Sequence, residues 1–207
     1  MRFAVIRRSL FALMLVVSSV GVVGAQAPAQ AGLQTWNIDA NHSAAQFAVR
    51  HLLVSTVRGQ FDKLSGSIKI NGNDIRSLVV DVTIDAASVN TRVANRDNDL
   101  RSPSFFDVEK FPTITFVSKK SEPVDAGHFK VTGDLTMHGV TKEVVLDVEG
   151  PTPPITQGTT QRVGATATTK INRRDFGLNY SRVVEGTAVV GDEITITIDI
   201  EAVRRTN

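Results

Sequence analysis

Residues 194–201 read ITITIDIE, and this stretch shows most clearly the pattern that decides the fold. Four isoleucines alternate with Thr195, Thr197, Asp199 and Glu201. Successive side chains of an extended strand point to opposite faces, so the isoleucines share one face and the polar residues share the other. The stretch therefore predicts a strand with one buried and one solvated face, which is typical of antiparallel sheets.

The same alternation recurs along most of the chain. It is clear in residues 78–85, 129–137 and 144–149, and further strands fit residues 35–39, 44–49, 65–70, 113–119 and 160–172. About eight or nine antiparallel strands suit either a closed barrel or a two-sheet sandwich. The sequence thus predicts an all-β protein and leaves these two architectures open.

One segment breaks the alternation. Residues 93–106 predict one or two short helical turns, with Asn90 or Thr91 as the N-cap and Pro103 ending the segment. Residues 150–158 are rich in glycine and proline, but neither flanking segment has a complete core of its own. We therefore interpret them as a long loop within one domain, which spans residues 35–204.

The N-terminus is typical of an exported protein. A basic head is followed by an apolar run over residues 9–23, and small residues end at Ala25. The run of about 15 residues is shorter than the roughly 20 that a membrane-spanning helix needs. We expect a signal peptide at residues 1–25, cleaved after Ala25 into the periplasm, and a flexible leader at residues 26–34.

Composition excludes several classes of protein. With 42% hydrophobic and 21% charged residues, the chain of 207 residues is long enough for one sizeable core, and it has no cysteine for disulfides, thiolate metal sites or a lipid anchor. Its net charge of +2 comes from the first 25 residues; without them 20 basic and 21 acidic residues leave −1. Nothing therefore indicates a nucleic-acid partner.

One strand indicates a cavity. On the apolar face of residues 161–171, Ala165 and Ala167 stand where a filled core uses larger side chains. Either the space is open or neighbours such as Phe116 and Phe129 fill it. An eight-stranded barrel is wide enough for both outcomes.

The residues indicate no catalytic or metal site. The four histidines show no HxH or HxxxH spacing, and GxSxG, SxxK and glycine-rich nucleotide motifs are missing from the sequence. We expect no enzyme, no metal and no cofactor. Near the helical insert, three arginines accompany Phe105, Phe106 and Phe111, which fits either a cationic rim around an apolar mouth or an ordinary capping segment.

The sequence resembles the YceI-like family of bacterial periplasmic polyisoprenoid-binding proteins. The resemblance is carried by residues 36–39 (WNID), 47–52 (FAVRHL), 57–61 (VRGQF), 105–107 (FFD), 110–116 (KFPTITF), 133–142 (GDLTMHGVTK) and 174–177 (RDFG), together with Arg96-Asp97 and residues 100–102 (LRS). Asp99 stands where some relatives have a histidine, so a role of that histidine does not transfer.

The resemblance implies an extended, lipocalin-like antiparallel barrel of about eight strands with an apolar channel for an isoprenoid chain. The expected ligand is a polyprenyl phosphate or an isoprenoid quinone. As the channel wall we name Phe47, Val49, Leu52, Phe105, Phe116, Phe129, Leu135, Ala165, Ala167 and Phe176. As head-group candidates we name Arg92, Arg96, Arg101 and Arg174.

The resemblance also limits the partners. We expect an isoprenoid ligand, transient membrane contact and no nucleic acid, while dimerisation is open. Three rival functions remain: a scavenger of amphiphilic molecules, an accessory protein docking to a membrane electron-transfer complex, and a hydrolase dependent on His42 or His138.

Overall fold

The computed structural model describes residues 32–206 and is built mainly of strands. The predicted signal peptide, with its cleavage site, lies outside the described residues, as do residues 26–31 of the leader. The described elements are β1 (Leu33–Ile38), β2 (Ala44–His51), β3 (Ser55–Phe61), β4 (Leu64–Asn71), β5 (Asp74–Asp85), β6 (Val89–Asn90), α1 (Ala94–Arg101), β7 (Thr113–Asp125), β8 (His128–Met137), β9 (Val140–Glu149), β10 (Ile155–Gln157), β11 (Thr160–Asn172), β12 (Val183–Val184), β13 (Thr187–Ala188) and β14 (Val190–Arg205), with short 3-10 helices at Ala86–Ser88 and Arg173–Phe176.

Eight strands close into one antiparallel barrel in the order β11, β9, β8, β7, β5, β4, β1, β14 and back to β11. The 13 consecutive residue pairs between β11 and β14 make the closure. On its other edge, β14 pairs first with β2 and then with β1. The barrel prediction is therefore confirmed, and the sandwich alternative is wrong.

The strand alternation sets which residues face inward. Ile194, Ile196, Ile198 and Ile200 all line the inside of the barrel, as the pattern of residues 194–201 predicts. The chain is a meander in which consecutive turns alternate between the two ends. One end carries α1, and we call it the helix end. The other carries the C-terminus of β14, and we call it the Arg204 end.

The backbone defines the turn between β8 and β9 and the start of the first strand. His138 (φ 52°) and Gly139 (φ 75°) form the two-residue turn between β8 and β9, and positive φ at both central positions is the geometry that suits a tight hairpin. β1 begins at Leu33, which pairs with Asn71, so Leu33 and Gln34 of the predicted leader belong to the first strand.

The N-cap prediction for the helical insert is wrong. Val93 occupies the N-cap of α1 and makes no side-chain cap hydrogen bond. The buried Asp97 carboxylate, in the first turn of α1, instead accepts hydrogen bonds from the main-chain N–H (2.8 Å) and hydroxyl (2.5 Å) of Thr91, which tie the chain before the helix to its first turn. A carboxylate near a helix N-terminus is favourable because main-chain N–H groups there lack partners.

The packed core surrounds the barrel interior. At the helix end, Phe61, Val89 and Phe176 lie in one cluster of buried residues. Trp36, Ile70 and Ala202 pack together at the Arg204 end. A third cluster contains Phe116 and Phe129 and contacts Ala165 and Ala167. Within residues 32–206, no helix has the length and apolar character needed to cross a bilayer.

Candidate functional site: an apolar cavity through the barrel

One cavity of about 710 Å³ occupies the barrel interior. Its lining reaches from Phe105 and Leu178 at the helix end to Gln34 and Arg204 at the Arg204 end. Between these ends the wall consists mainly of aliphatic and aromatic side chains from the barrel strands. The volume lies within the range of about 300–1,000 Å³ that is typical of small-molecule sites.

The small residues of β11 border this space. Ala165 and Ala167 line the cavity although Phe116 and Phe129 pack close to them, so the neighbouring rings do not fill the gap. The sequence alone does not show whether the space beside Ala165 and Ala167 is open or filled by neighbouring rings. In the structure the space is open. Bulky partners lie across the ladder, where Ile198 and Ile200 face Ala167 and Ala165.

Most of the predicted wall residues reach the cavity, whereas two do not. The residues that line it are Phe47, Val49, Phe105, Phe116, Phe129, Leu135, Ala165 and Ala167. Leu52 instead lies in the β2–β3 turn with φ 50°. Phe176, only 2% exposed, packs in the cluster at the helix end. Their contact with a ligand stays a prediction.

The four arginines named for the head group lie outside the cavity wall. Arg96 donates to the Thr91 hydroxyl (2.7 Å) and main-chain carbonyl (2.9 Å), and Arg101 donates to the carbonyls of Ala87 and Val89, both at 2.7 Å. These contacts fasten the helical insert to the barrel. The capping-segment interpretation therefore accounts for both side chains.

The other two head-group candidates are exposed. Arg92 has φ 64°, and its main-chain N–H donates to Asn90. Arg174 pairs with Asp192, with 2.8 Å between its Nε and the carboxylate. Head-group binding by these four arginines stays a prediction.

Two other arginines, Arg173 and Arg204, do line the cavity, and neither was among the residues predicted from the sequence. Arg173, only 3% exposed, donates to the main-chain carbonyls of Gly191, Leu178 and Val190 and pairs with Asp192 at 2.8 Å. Burial lowers the pKa of its guanidinium, and the nearby Asp192 carboxylate counteracts this by favouring the charged form. Arg173 is therefore fully engaged in holding the start of β14 and the segment at Leu178.

Arg204 has a different environment. Its guanidinium stacks on Trp36, 4.7 Å from the ring centre, and its Nε donates to the Gln161 amide oxygen at 2.8 Å. Continuing the alternation of residues 194–201 by two steps past Ile200 places Ala202 and then Arg204 on the inner face. That signal was available in the sequence.

The helix end of the cavity is bounded by aromatic contacts. Phe105, which lines the cavity, stacks on Tyr180 with ring centres 4.6 Å apart and an interplanar angle of 27°. Phe106 also lines the cavity and meets Phe61 edge to face at 5.5 Å. Phe111, the third aromatic residue of the insert, instead packs on His138.

A polar cluster lies on the outer side of the barrel. His42 contacts Asp39 at 3.0 Å, and the ligand atoms of Asp39, His42 and Glu201 all lie within 4.8 Å of one another. Arg162 pairs with both carboxylates, at 3.4 Å from Asp39 and 2.5 Å from Glu201. The hydrogen bond from His42 lowers the pKa of Asp39. This arrangement is an ion-paired turn, in which the Arg162 guanidinium bridges the two carboxylates and compensates one of their two negative charges.

Comparison with known proteins agrees with the fold. The sequence profile described as a YceI-like domain matches residues 36–202. A UPF0312 protein of Staphylococcus aureus (strain MSSA476) is 34% identical over 172 residues, which cover 82% of this chain and 97% of the relative.

Solved structures give the same result. A Campylobacter jejuni YceI protein has a TM-score of 0.66 and 34% identity, covering 76% of this chain and 90% of that one. Burkholderia cenocepacia BcnA superposes with a TM-score of 0.67 at 23% identity, covering 79% and 98%. A polyisoprenoid binding domain from Saccharophagus degradans, implicated in plant cell wall breakdown, has a TM-score of 0.58 at 19% identity, covering 81% and 97%.

Proposed function

This chain belongs to the YceI-like family, and on that premise we propose that it binds a long-chain isoprenoid lipid inside its barrel, as a periplasmic carrier or store. The observation that carries the proposal is the cavity of about 710 Å³ with an almost entirely apolar wall. Further support comes from the Saccharophagus degradans domain of the same fold, which is described as polyisoprenoid binding.

The shape of the cavity suits a chain better than a compact ligand. From Ile194 to Arg204, β14 runs for ten residue steps, or about 33 Å at a rise of roughly 3.3 Å per residue. A strand tilt of about 40° reduces this to roughly 25 Å along the barrel axis. An extended prenyl chain of several units laid end to end fits such a length, with its branched methyl groups beside Ala165 and Ala167.

Burial of the chain supplies most of the affinity relative to water. At about 0.8 kcal/mol per CH₂ group, each five-carbon unit contributes roughly 4 kcal/mol. A bilayer interior is equally apolar, so this free energy largely cancels when the lipid comes from a membrane. We therefore propose exchange of lipid with a membrane during transient contact, with head-group contacts shifting the equilibrium.

The wall favours binding without catalysis. Among the described residues, the cavity lining contains no histidine, aspartate, glutamate, lysine, tyrosine or cysteine. General acid–base catalysis needs such a group within hydrogen-bond distance of the reacting atom. The proposal therefore includes no reaction, and the location in the periplasm follows from the predicted signal peptide.

Trp36 provides the test. It is the only tryptophan in the chain, it is 6% exposed, and it lines the cavity. Delipidated protein is titrated with a polyprenyl phosphate and, in parallel, with a saturated fatty acid of similar length, while Trp36 fluorescence is recorded. We expect a saturable change at one lipid per protein, at lower concentration for the prenyl lipid. Equal response to both lipids would favour a scavenger, and no response to either would favour a docking protein.

A further inference from the structure

We propose that the cavity holds its ligand in one orientation, with an anionic phosphate head group at Arg204 and the prenyl chain running toward the helix end. This inference rests on the proposed function, because it assigns the polar end of the same site. It selects a polyprenyl phosphate or diphosphate over a neutral quinone or alcohol.

The inner surface changes character at the Arg204 end. From Ile194 to Ile200 the inward positions of β14 are isoleucines, followed by Ala202 and then Arg204. On β11 the inward series ends with Val163 and Gln161, and Gln161 lies opposite Arg204 in the ladder. On β1 it passes from Trp36 to Gln34, which also lines the cavity. The last inward layer is therefore polar on three adjacent strands, while the layer before it, formed by Trp36, Val163 and Ala202, is apolar except at the Trp36 ring nitrogen.

The two cavity arginines differ in how many of their hydrogen-bond donors are already paired. Arg173 donates to three main-chain carbonyls and pairs with the Asp192 carboxylate. Arg204 donates through Nε to the uncharged Gln161 and otherwise stacks on Trp36. Within residues 32–206, no carboxylate lies within ion-pair distance of Arg204.

This arrangement has the chemistry of a phosphate site. The Trp36 ring and the Gln161 contact fix the guanidinium plane. Neither Nη group hydrogen-bonds to another of residues 32–206, so the two form a fork that matches two phosphate oxygens. A quinone carbonyl accepts a hydrogen bond but leaves the positive charge without compensation. An anion at the end of a low-dielectric cavity both accepts the hydrogen bonds and neutralises the charge, so the geometry favours phosphate.

The experiment compares farnesyl phosphate with farnesol, two probes that share a chain and differ in the head group. Binding to delipidated wild-type protein, Arg204→Met and Arg205→Met is measured by isothermal titration calorimetry. Arg205 is the matched control, because it is exposed on the outer face of the same strand and its replacement removes the same charge. Arg204→Lys tests whether charge alone restores binding.

We expect wild type and Arg205→Met to bind farnesyl phosphate roughly tenfold or more tightly than farnesol, since a charge-assisted hydrogen bond contributes that much. Arg204→Met should lose this preference while its affinity for farnesol stays the same, and Arg204→Lys should recover part of it. Retained affinity for farnesol shows that the Arg204→Met barrel is intact.

Four results would overturn the inference. One is a wild-type protein that binds farnesyl phosphate no more tightly than farnesol, and another is an Arg204→Met variant that keeps the preference for farnesyl phosphate. Either result would show that Arg204 does not bind the head group, and the proposed function would be unaffected. Inorganic phosphate binding as tightly as farnesyl phosphate would make Arg204 a site for a free anion. Failure of wild type to bind either prenyl probe would overturn the proposed function together with the inference.

Discussion

Ala167 lies directly opposite Ile198 across the β11–β14 ladder, and both side chains line the cavity. A small residue facing a large one keeps the strands at normal spacing and leaves room above the methyl group. Ala165 and Ile200 repeat the pair one layer away. The space for a ligand is therefore a consequence of side-chain size at particular ladder positions.

Filling this space should abolish binding without unfolding the barrel. Ala167→Phe places a ring in the cavity, and Thr168→Phe places the same ring on the exposed outer face of the same strand. We expect Ala167→Phe to weaken binding of a polyprenyl phosphate by at least about tenfold, while its melting temperature stays near that of wild type, because the cavity accepts the added volume without overpacking. Thr168→Phe should bind normally, and equal binding by both variants would place the lipid elsewhere.

Gly133 should be intolerant of any side chain. A Cβ at this position would lie 2.5 Å from the Phe116 ring and 2.5 Å from the Val117 carbonyl oxygen. Gly133→Ala should lower the free energy of unfolding by about 1–3 kcal/mol, the usual cost of overpacking, as measured by urea denaturation. Gly164→Ala is the control, since its Cβ would meet nothing nearer than 3.6 Å. A Gly133→Ala protein as stable as wild type would contradict this account of the Phe116 packing.

Arg101 should act on stability and leave head-group preference unchanged. Its replacement by methionine removes the hydrogen bonds to the carbonyls of Ala87 and Val89, at an expected cost of about 1–3 kcal/mol. Arg92→Met removes the same charge from an exposed side chain and should cost little. Thermal unfolding compares the two variants. A folded Arg101→Met protein that binds farnesyl phosphate and farnesol equally would contradict this expectation. It would instead support the cationic rim of arginines near α1 that the sequence leaves open.

His128 should titrate above its ordinary pKa of about 6.5. The hydrogen bond to Asp125 is the main cause of the raised pKa, and Glu149 adds a smaller electrostatic contribution. Because the folded pKa is raised, the pair stabilises the β7–β8 turn below pH 6.5, and this contribution disappears as the pH rises through the folded pKa.

An NMR titration of the His128 ring checks this assignment. Asp125→Asn should return the pKa toward its ordinary value, and Glu149→Gln should change it less, as expected for the weaker cause. A His128 pKa that is unaffected by Asp125→Asn would contradict the assignment.

The sequence predicts much of the fold because period-two alternation is a local property. The inward isoleucines of β14 and the positions of Ala165 and Ala167 follow from it directly. Closure of the sheet into a barrel does not follow from the alternation, because barrel strands and sandwich strands show the same pattern. The pairing of β14 with both β11 and β1 decides between them, and that contact joins parts of the chain that are far apart in sequence.

The candidate site is predicted less completely, for a related reason. An arginine side chain has several hydrogen-bond donors, so it can fasten a loop as well as hold an anion. The sequence near α1 does not distinguish these two roles. Arg101 fastens the insert to main-chain carbonyls, whereas Arg204, far from any aromatic cluster in sequence, meets Trp36 only through strand pairing. Extending the alternation past Ile200 would have found Arg204 on the inner face.

Binding of a prenyl lipid inside the barrel is measured most directly by native mass spectrometry of the mature protein, purified without detergent from its own cell envelope. Lipid is extracted from the same sample and identified. Ala167→Phe purified in the same way is the control for lipid carried over on the surface. We expect one prenyl lipid per wild-type protein, carrying a phosphate head, and none on Ala167→Phe. A wild-type protein that carries no prenyl lipid, or equal amounts of lipid on both proteins, would contradict this expectation.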